Sequence, residues 1–139
     1  MKSKEIITKS DQETKKLAGE MAQEIMERSN SEAFVVGLEG DLGSGKTTFI
    51  QGIAQGLGIK DKITSPTFVI MKKYNFLYHI DCYRIESDDL LELGFKEIIS
   101  QPGNIIMIEW AERVKDVLPE NTIWIKFEYL DKNKRRITY

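Results

Sequence analysis

Gly40-Asp41-Leu42-Gly43-Ser44-Gly45-Lys46-Thr47 is the stretch that decides how this chain is read. It spells G-x-x-x-x-G-K-[ST], the pattern of a phosphate-cradling loop, and its flanks matter as much as its letters. Before it, Ala33-Phe34-Val35-Val36-Gly37-Leu38-Glu39 is short, apolar and β-branched, which predicts a buried strand. After it, Phe49, Ile50, Ile53, Ala54 and Leu57 recur at helical spacing, and Gly58 supplies a C-terminal stop. Strand, glycine loop and helix together form the frame in which the motif has chemical meaning.

The residue types follow from that chemistry. Gly40, Gly43 and Gly45 reach backbone angles closed to other residues, so successive N–H groups can curl around a phosphate. The helix that follows aims its positive N-terminus at the same anion. Lys46 is placed to reach the β- and γ-phosphates, and the Thr47 hydroxyl to coordinate Mg2+. Asp41, Leu42, Gly43, Ser44, Gly45, Lys46, Thr47 and Thr48 are therefore the expected ATP-binding residues.

Composition limits what surrounds this loop. At 139 residues the chain reads as one domain over 1–139, with 41% apolar and 30% charged residues, as in an ordinary globular protein. A net charge of −2 provides no global field toward nucleic acid or membrane. No apolar run approaches the roughly 20 residues that span a bilayer, and Met1-Lys2-Ser3-Lys4-Glu5 does not open a signal peptide. A single cysteine, Cys82, excludes an internal disulfide, and a cytoplasmic location is expected. So short a chain leaves little room for the lid or acceptor domain that phosphoryl-transfer enzymes usually carry.

Outward from the loop, Ile6 to Lys9 predicts a short strand. Ser10-Asp11-Gln12-Glu13 then predicts a capping box, and a helix to about Ser29 with Leu17, Ala18, Met21, Ala22 and Ile25 on one face. Downstream, Thr64-Ser65-Pro66-Thr67-Phe68 is held extended by Pro66. It is either a turn or a switch segment whose hydroxyls sense the γ-phosphate and Mg2+. Phe68–Tyr74 and Phe76–Asp81 predict two strands of an antiparallel hairpin joined at Asn75. Glu86 to Gly94 predicts a short acidic helix capped at Ser87, and Phe95 to Ile99 continues it. Asn104–Glu109 predicts a second apolar strand ending in a carboxylate. Thr122–Tyr129 and Arg135–Tyr139 predict a final hairpin, whose Lys132, Lys134, Arg135 and Arg136 form a basic cluster open either to solvent or to RNA.

Two acidic strand ends, Asp81 and Glu109, thus compete for the Mg2+-directed and water-polarising roles. His79 shares a strand face with Asp81. A zinc site from His79 and Cys82 fails on ligand count, since the chain has one His and one Cys.

Missing motifs narrow the class. There is no N-K-x-D guanine reader, no D-x-x-G after the loop and no L-S-G-G-Q. A small-molecule kinase shares the loop spelling but needs several lid arginines, and of five arginines only Arg113 lies between Glu109 and the terminal strands. The loop, then Ser65-Pro66-Thr67-Phe68, His79-Ile80-Asp81-Cys82-Tyr83-Arg84 and Ile108-Glu109-Trp110, in this order and spacing, resembles the bacterial TsaE (YjeE) family. The final dozen residues carry no part of that resemblance.

The resemblance implies an α/β fold: a three-layer P-loop NTPase with a mixed, partly parallel central sheet flanked by helices and antiparallel hairpin additions. It implies an ATPase required for N6-threonylcarbamoyladenosine (t6A) in tRNAs reading codons that begin with A. It implies action on a TsaB–TsaD complex, which in that family uses threonylcarbamoyl-adenylate made by TsaC. By position it implies Lys46 and Thr47 on phosphate and Mg2+, Glu109 as metal-directed acid, Thr64–Phe68 as switch I and His79–Arg84 as a second switch-like motif. It also implies Trp110 beside the nucleotide. Tyr83 and Arg84 serve either the nucleotide or the partner. The expected catalytic set is Lys46, Glu109, Asp81 and Thr67, with Thr47 and Glu109 on the metal. No pattern supplies both a water-activating base and an arginine finger, so slow hydrolysis accelerated by the protein partner is expected, with tRNA engaged only indirectly or weakly and no membrane. A small-metabolite kinase and a nucleotide-gated RNA-binding module remain the alternatives at this point.

Overall fold

The computed structural model describes residues 4–28, 32–41, 45–64 and 70–139. Its centre is the strand that precedes the glycine loop, β2 (Phe34–Glu39), whose four interior residues are all buried. A strand buried on both faces needs parallel neighbours with helical crossovers. It has them: β5 (Ile105–Glu109) on one side and β6 (Ile123–Tyr129) on the other, both parallel to it. Beyond β5 lies β4 (Leu77–Asp81), also parallel, and then β3 (Met71–Tyr74), antiparallel. Beyond β6, β7 (Arg135–Thr138) and β1 (Glu5–Thr8) close the other edge in antiparallel pairings. The seven strands run β1-β7-β6-β2-β5-β4-β3. The expected mixed, partly parallel sheet with hairpins added at its edges is what forms.

The β3–β4 turn falls at Asn75, whose φ of 62° is a left-handed value asparagine tolerates better than most residues. Among the described residues the strand begins at Met71; the expected start at Phe68 falls within positions 65–69, which lie outside the described residues.

Helices cover both faces. α1 (Asp11–Arg28) and α2 (Lys46–Gly56) bury Leu17, Ala18, Ile50 and Ile53 against Val36, Leu38, Ile105 and Met107 on one side of the sheet. On the other side α3 (Ser87–Glu92), α4 (Phe95–Ile99) and a 3-10 helix (Ala111–Val117) pack Leu90, Phe95 and Val114 against Val35, Ile106 and Ile108. The alternation is the strand period of two made visible.

Local signals explain the helix limits. Ser10 Oγ accepts the Glu13 N–H at 3.1 Å, but the Glu13 carboxylate accepts the Lys9 N–H at 3.3 Å, one residue before the cap. α2 ends where expected: Leu57 is the C-cap and Gly58 follows at φ 80°. α3 corrects its sequence reading. Glu86 is the N-cap, sharing a reciprocal box with Asp89, while the Ser87 hydroxyl donates to Asp116. Glu reaches far enough to fill the role usually given to a shorter side chain.

The contact between α1 and α2 depends on two glycines. A Cβ on Gly52 would sit 2.7 Å from the Lys15 carbonyl oxygen and the Ala18 Cβ, and one on Gly56 would sit 2.7 Å from the Ala22 Cβ. Each glycine costs about 1 kcal/mol of helix propensity relative to alanine, and the close approach it permits places α2, with Lys46 and Thr47 at its start.

Candidate functional site

The C-terminal ends of β2, β4 and β5 lie side by side, with Leu38 opposite Glu109 and Glu109 opposite Asp81 in register. Ligand sites of open α/β sheets form at this edge. The chain leaves β2 through Gly40, at φ 147°, and enters α2 through Gly45, at φ 100°, both in the range that favours glycine. Asp41 is exposed at the start of this turn, whereas Leu42, Gly43 and Ser44 lie outside the described residues. Thr48 is half-buried in the first turn of α2.

Lys46 is only 4% exposed. Its ammonium donates to the Gly40 carbonyl and stands 3.6 Å from the centroid of a Trp110 ring. Burial pulls its pKa below the ordinary lysine value, against the charges of Glu109, Glu112, Asp81 and Asp41, which favour the cation. An incoming phosphate would add to that second group of forces. Trp110 takes this position because its φ of 59° turns the chain sharply as β5 ends and the 3-10 helix begins. Its ring also meets Tyr83, with centroids 4.9 Å apart.

Thr47 and Glu109 meet across the gap between α2 and β5. The Thr47 hydroxyl lies 3.4 Å from Oε1 and 3.3 Å from Oε2 of Glu109. Glu109, 4% exposed, is held in turn by His79, whose Nε2 is 2.5 Å from Oε2. Strand geometry makes this inevitable: residues 77, 79 and 81 and residues 105, 107 and 109 share the face that carries α2, so His79 lies diagonally across from Glu109.

Asp81 has a different environment. It is half-buried, and its Oδ1 accepts the Tyr83 N–H at 2.9 Å. Burial raises its pKa and the nearby Glu109 charge adds to the rise, while the Tyr83 amide works against both. The sequence-expected Lys46, Thr47, Glu109, Asp81 and Trp110 are thus brought together. Thr67, with Ser65, Pro66 and Phe68 of the expected Thr64–Phe68 switch I, lies outside the described residues; Thr64 is exposed, and its hydroxyl accepts from the Lys72 ammonium at 3.4 Å.

Two neighbours of the site were not singled out for it in the sequence. Glu112 contributes charge near Lys46, and burial raises its own pKa. Arg135, from the far hairpin, lays its side chain beside the loop, its Cγ 3.6 Å from where a Cβ on Gly45 would be. Only the strand order brings positions 90 residues apart together, so no local signal could have found this contact. It also divides the basic cluster. Arg135 stacks on Tyr129 at 4.7 Å and donates to the carbonyls of Asp131 and Lys134, and Arg136 pairs with Glu5 and Glu128, leaving Lys132 and Lys134 exposed.

The donor set suits magnesium. A hydroxyl and a carboxylate are hard oxygen ligands, and Mg2+ typically takes one or two protein oxygens with substrate phosphates and water completing its shell.

A buried parallel strand, a left-handed glycine, a helix opening with Lys-Thr and a neighbouring strand ending in a carboxylate define a P-loop α/β protein. The family model described as threonylcarbamoyl adenosine biosynthesis protein TsaE matches residues 8–137, and the chain belongs to that family. It is 42% identical over 118 residues to the tRNA threonylcarbamoyladenosine biosynthesis protein TsaE of Treponema pallidum, covering 82% of this chain and 87% of that one. The Rickettsia felis protein of the same name is 41% identical over 136 residues, covering 94% and 75%. The crystal structure of Bacillus subtilis YdiB superposes with a TM-score of 0.78 at 34% identity, over 99% of this chain and 84% of that one.

Proposed function

We propose that this chain is a Mg2+-dependent ATP-binding protein and a slow, partner-activated ATPase. It serves t6A formation by acting on a TsaB–TsaD complex in the cytoplasm. The observation that carries the reading is the meeting of Lys46, Thr47 and the His79-anchored Glu109 at the sheet edge, directly under the N-terminus of α2. Lys46 and the loop amides would hold the phosphates, and Thr47 and Glu109 the metal. A magnesium ion held by Thr47 and Glu109 would supply neutralisation of the charge that develops in phosphoryl transfer.

The site also supports slow turnover without a partner. Glu109 is engaged by His79 and Thr47, and one oxygen of Asp81 by the Tyr83 amide, so Glu109 is not a free base for water and Asp81 is turned partly toward its own turn. Arg135 lies beside Gly45, but its Nη1 is tied to two backbone carbonyls. Completion of the site from outside is the economical explanation.

The test is ATP hydrolysis by the purified chain, alone and with TsaB and TsaD. A sharp rise with the partners, abolished by Lys46→Ala, is expected. Hydrolysis unchanged by Lys46→Ala overturns the assignment, and turnover that depends instead on a small phosphate acceptor identifies a kinase.

A further inference from the structure

His79 is the chain's only histidine and is completely buried, yet nothing in the loop chemistry requires it. Its Nε2 lies 2.5 Å from Glu109 Oε2, and its Nδ1, equally buried, has no hydrogen-bond partner among the described residues. These two facts select one protonation pattern. If Glu109 carried the proton and donated it to Nε2, Nδ1–H would be a buried donor without an acceptor. An imidazolium would leave the same orphan. In the neutral Nε2–H tautomer the only unpaired group is a lone pair, and no desolvated N–H is stranded.

The consequence falls on Glu109. A carboxylate at a strand end has rotational freedom and could turn toward Lys46, Thr47 or water. One of its oxygens is claimed by a ring locked in the sheet, on the strand face that α2 covers. We propose that His79 is a positioning residue which, as the Nε2–H tautomer, anchors Glu109 Oε2 and so keeps the carboxylate directed at Thr47, where the metal of the bound nucleotide is received. This rests on the function proposed above and adds to it a fixed orientation of the Glu109 carboxylate, whose Oε2 takes both the imidazole at 2.5 Å and the Thr47 hydroxyl at 3.3 Å. The same anchor separates Glu109 from Asp81, which is given no such partner.

A single histidine makes the test unusually clean. In uniformly 15N-labelled protein without magnesium, long-range 1H–15N correlation should show one imidazole with Nε2 protonated and Nδ1 bare. An Nδ1–H tautomer or an imidazolium at neutral pH overturns the proposal. The second readout is nucleotide affinity by calorimetry, with Mg2+ and with EDTA. His79→Phe keeps an aromatic ring, somewhat larger, and removes the donor, and it should cost about tenfold or more of the Mg2+-dependent gain in ATP affinity while changing the EDTA value less than twofold. His79→Gln, which retains an N–H at the corresponding reach, should restore most of the gain. Equal losses with and without Mg2+, or no rescue by Gln, reduce His79 to a core residue. Should His79→Phe fail to fold, Glu109→Leu decides in the NMR measurement: removing the acceptor must shift the Nε2 resonance, and an unchanged spectrum overturns the anchor. Failure of the wild-type chain to bind ATP at all would instead bring down the functional reading.

Discussion

The ends of β4 and β5 follow the same pattern in sequence: Leu-Tyr-His-Ile-Asp in one, Ile-Ile-Met-Ile-Glu in the other, each a mostly apolar strand closing on a carboxylate. They are parallel, adjacent and in register, with Asp81 directly opposite Glu109. Their environments differ nonetheless. Glu109 is enclosed between His79 and the Thr47 hydroxyl, whereas Asp81 bends back to cap the turn that follows it. The longer Glu side chain reaches the start of α2; the shorter Asp satisfies a backbone amide two residues on, as Asx turns do. Local pattern therefore makes a strand-terminal acid available, and what packs around it assigns the role.

The largest effect should come from swapping charges at the two ends. On the proposed function, Glu109→Gln is expected to lower partner-stimulated, Mg2+-dependent ATP turnover by about a hundredfold, roughly 3 kcal/mol of transition-state stabilisation, and Asp81→Asn by about tenfold or less. A steady-state assay on both variants checks the ranking, and the reverse order breaks the comparison.

Next in size is a change far from either acid. Gly52→Ala should destabilise the fold by about 1–3 kcal/mol in a denaturant titration, because overpacking against Lys15 and Ala18 outweighs the gain in helix propensity. Since α2 carries Thr47, the variant should weaken Mg2+-dependent nucleotide binding as well. A more stable Gly52→Ala protein would contradict the close helix contact.

Asp81 sharpens the contrast through pH. Burial favours its protonated form in the folded chain, so folding takes up a proton and stability falls as pH rises through the window above its unfolded value. Asp81→Asn should accordingly raise the melting temperature at neutral pH in magnesium-free buffer, and the advantage should shrink as pH falls into the ordinary carboxylate range. An advantage that grows on acidification has the wrong sign for this account.

The smallest expected effect is a silence. Cys82 follows Asp81, is fully buried, and its N–H donates to the Glu109 carbonyl at 3.0 Å, tying the two strand ends together. Burial pushes its thiol up to about 12, so the folded protein should give almost no reaction with a thiol reagent at pH 8, and one equivalent once denatured. Rapid labelling of the native chain would show that this edge opens.

Much of this was legible in the chain itself. The buried β2, the positive-φ glycines at positions 40, 45 and 58, the Asn75 hairpin and the apolar stripe of α1 all follow from periodicity and backbone sterics, which act over a few residues. The sequence points to Ser87 as the cap of α3, one residue past the observed Glu86, because Ser and Glu offer competing side-chain acceptors and only the folded turn selects between them. Nothing in the local pattern of α2 explains the glycines at 52 and 56; the close approach of α1 does.

What the amino-acid order determined is the loop, its strand and helix, and the pair of acids that could serve it, since each depends on neighbours in the chain. What only the tertiary structure decided is which acid meets Thr47, that His79 holds it, and that Arg135 lies beside Gly45. Those contacts join residues 30, 62 and 90 positions apart. They exist because parallel register and strand order set the distances, and those are properties of the packed sheet rather than of any segment within it.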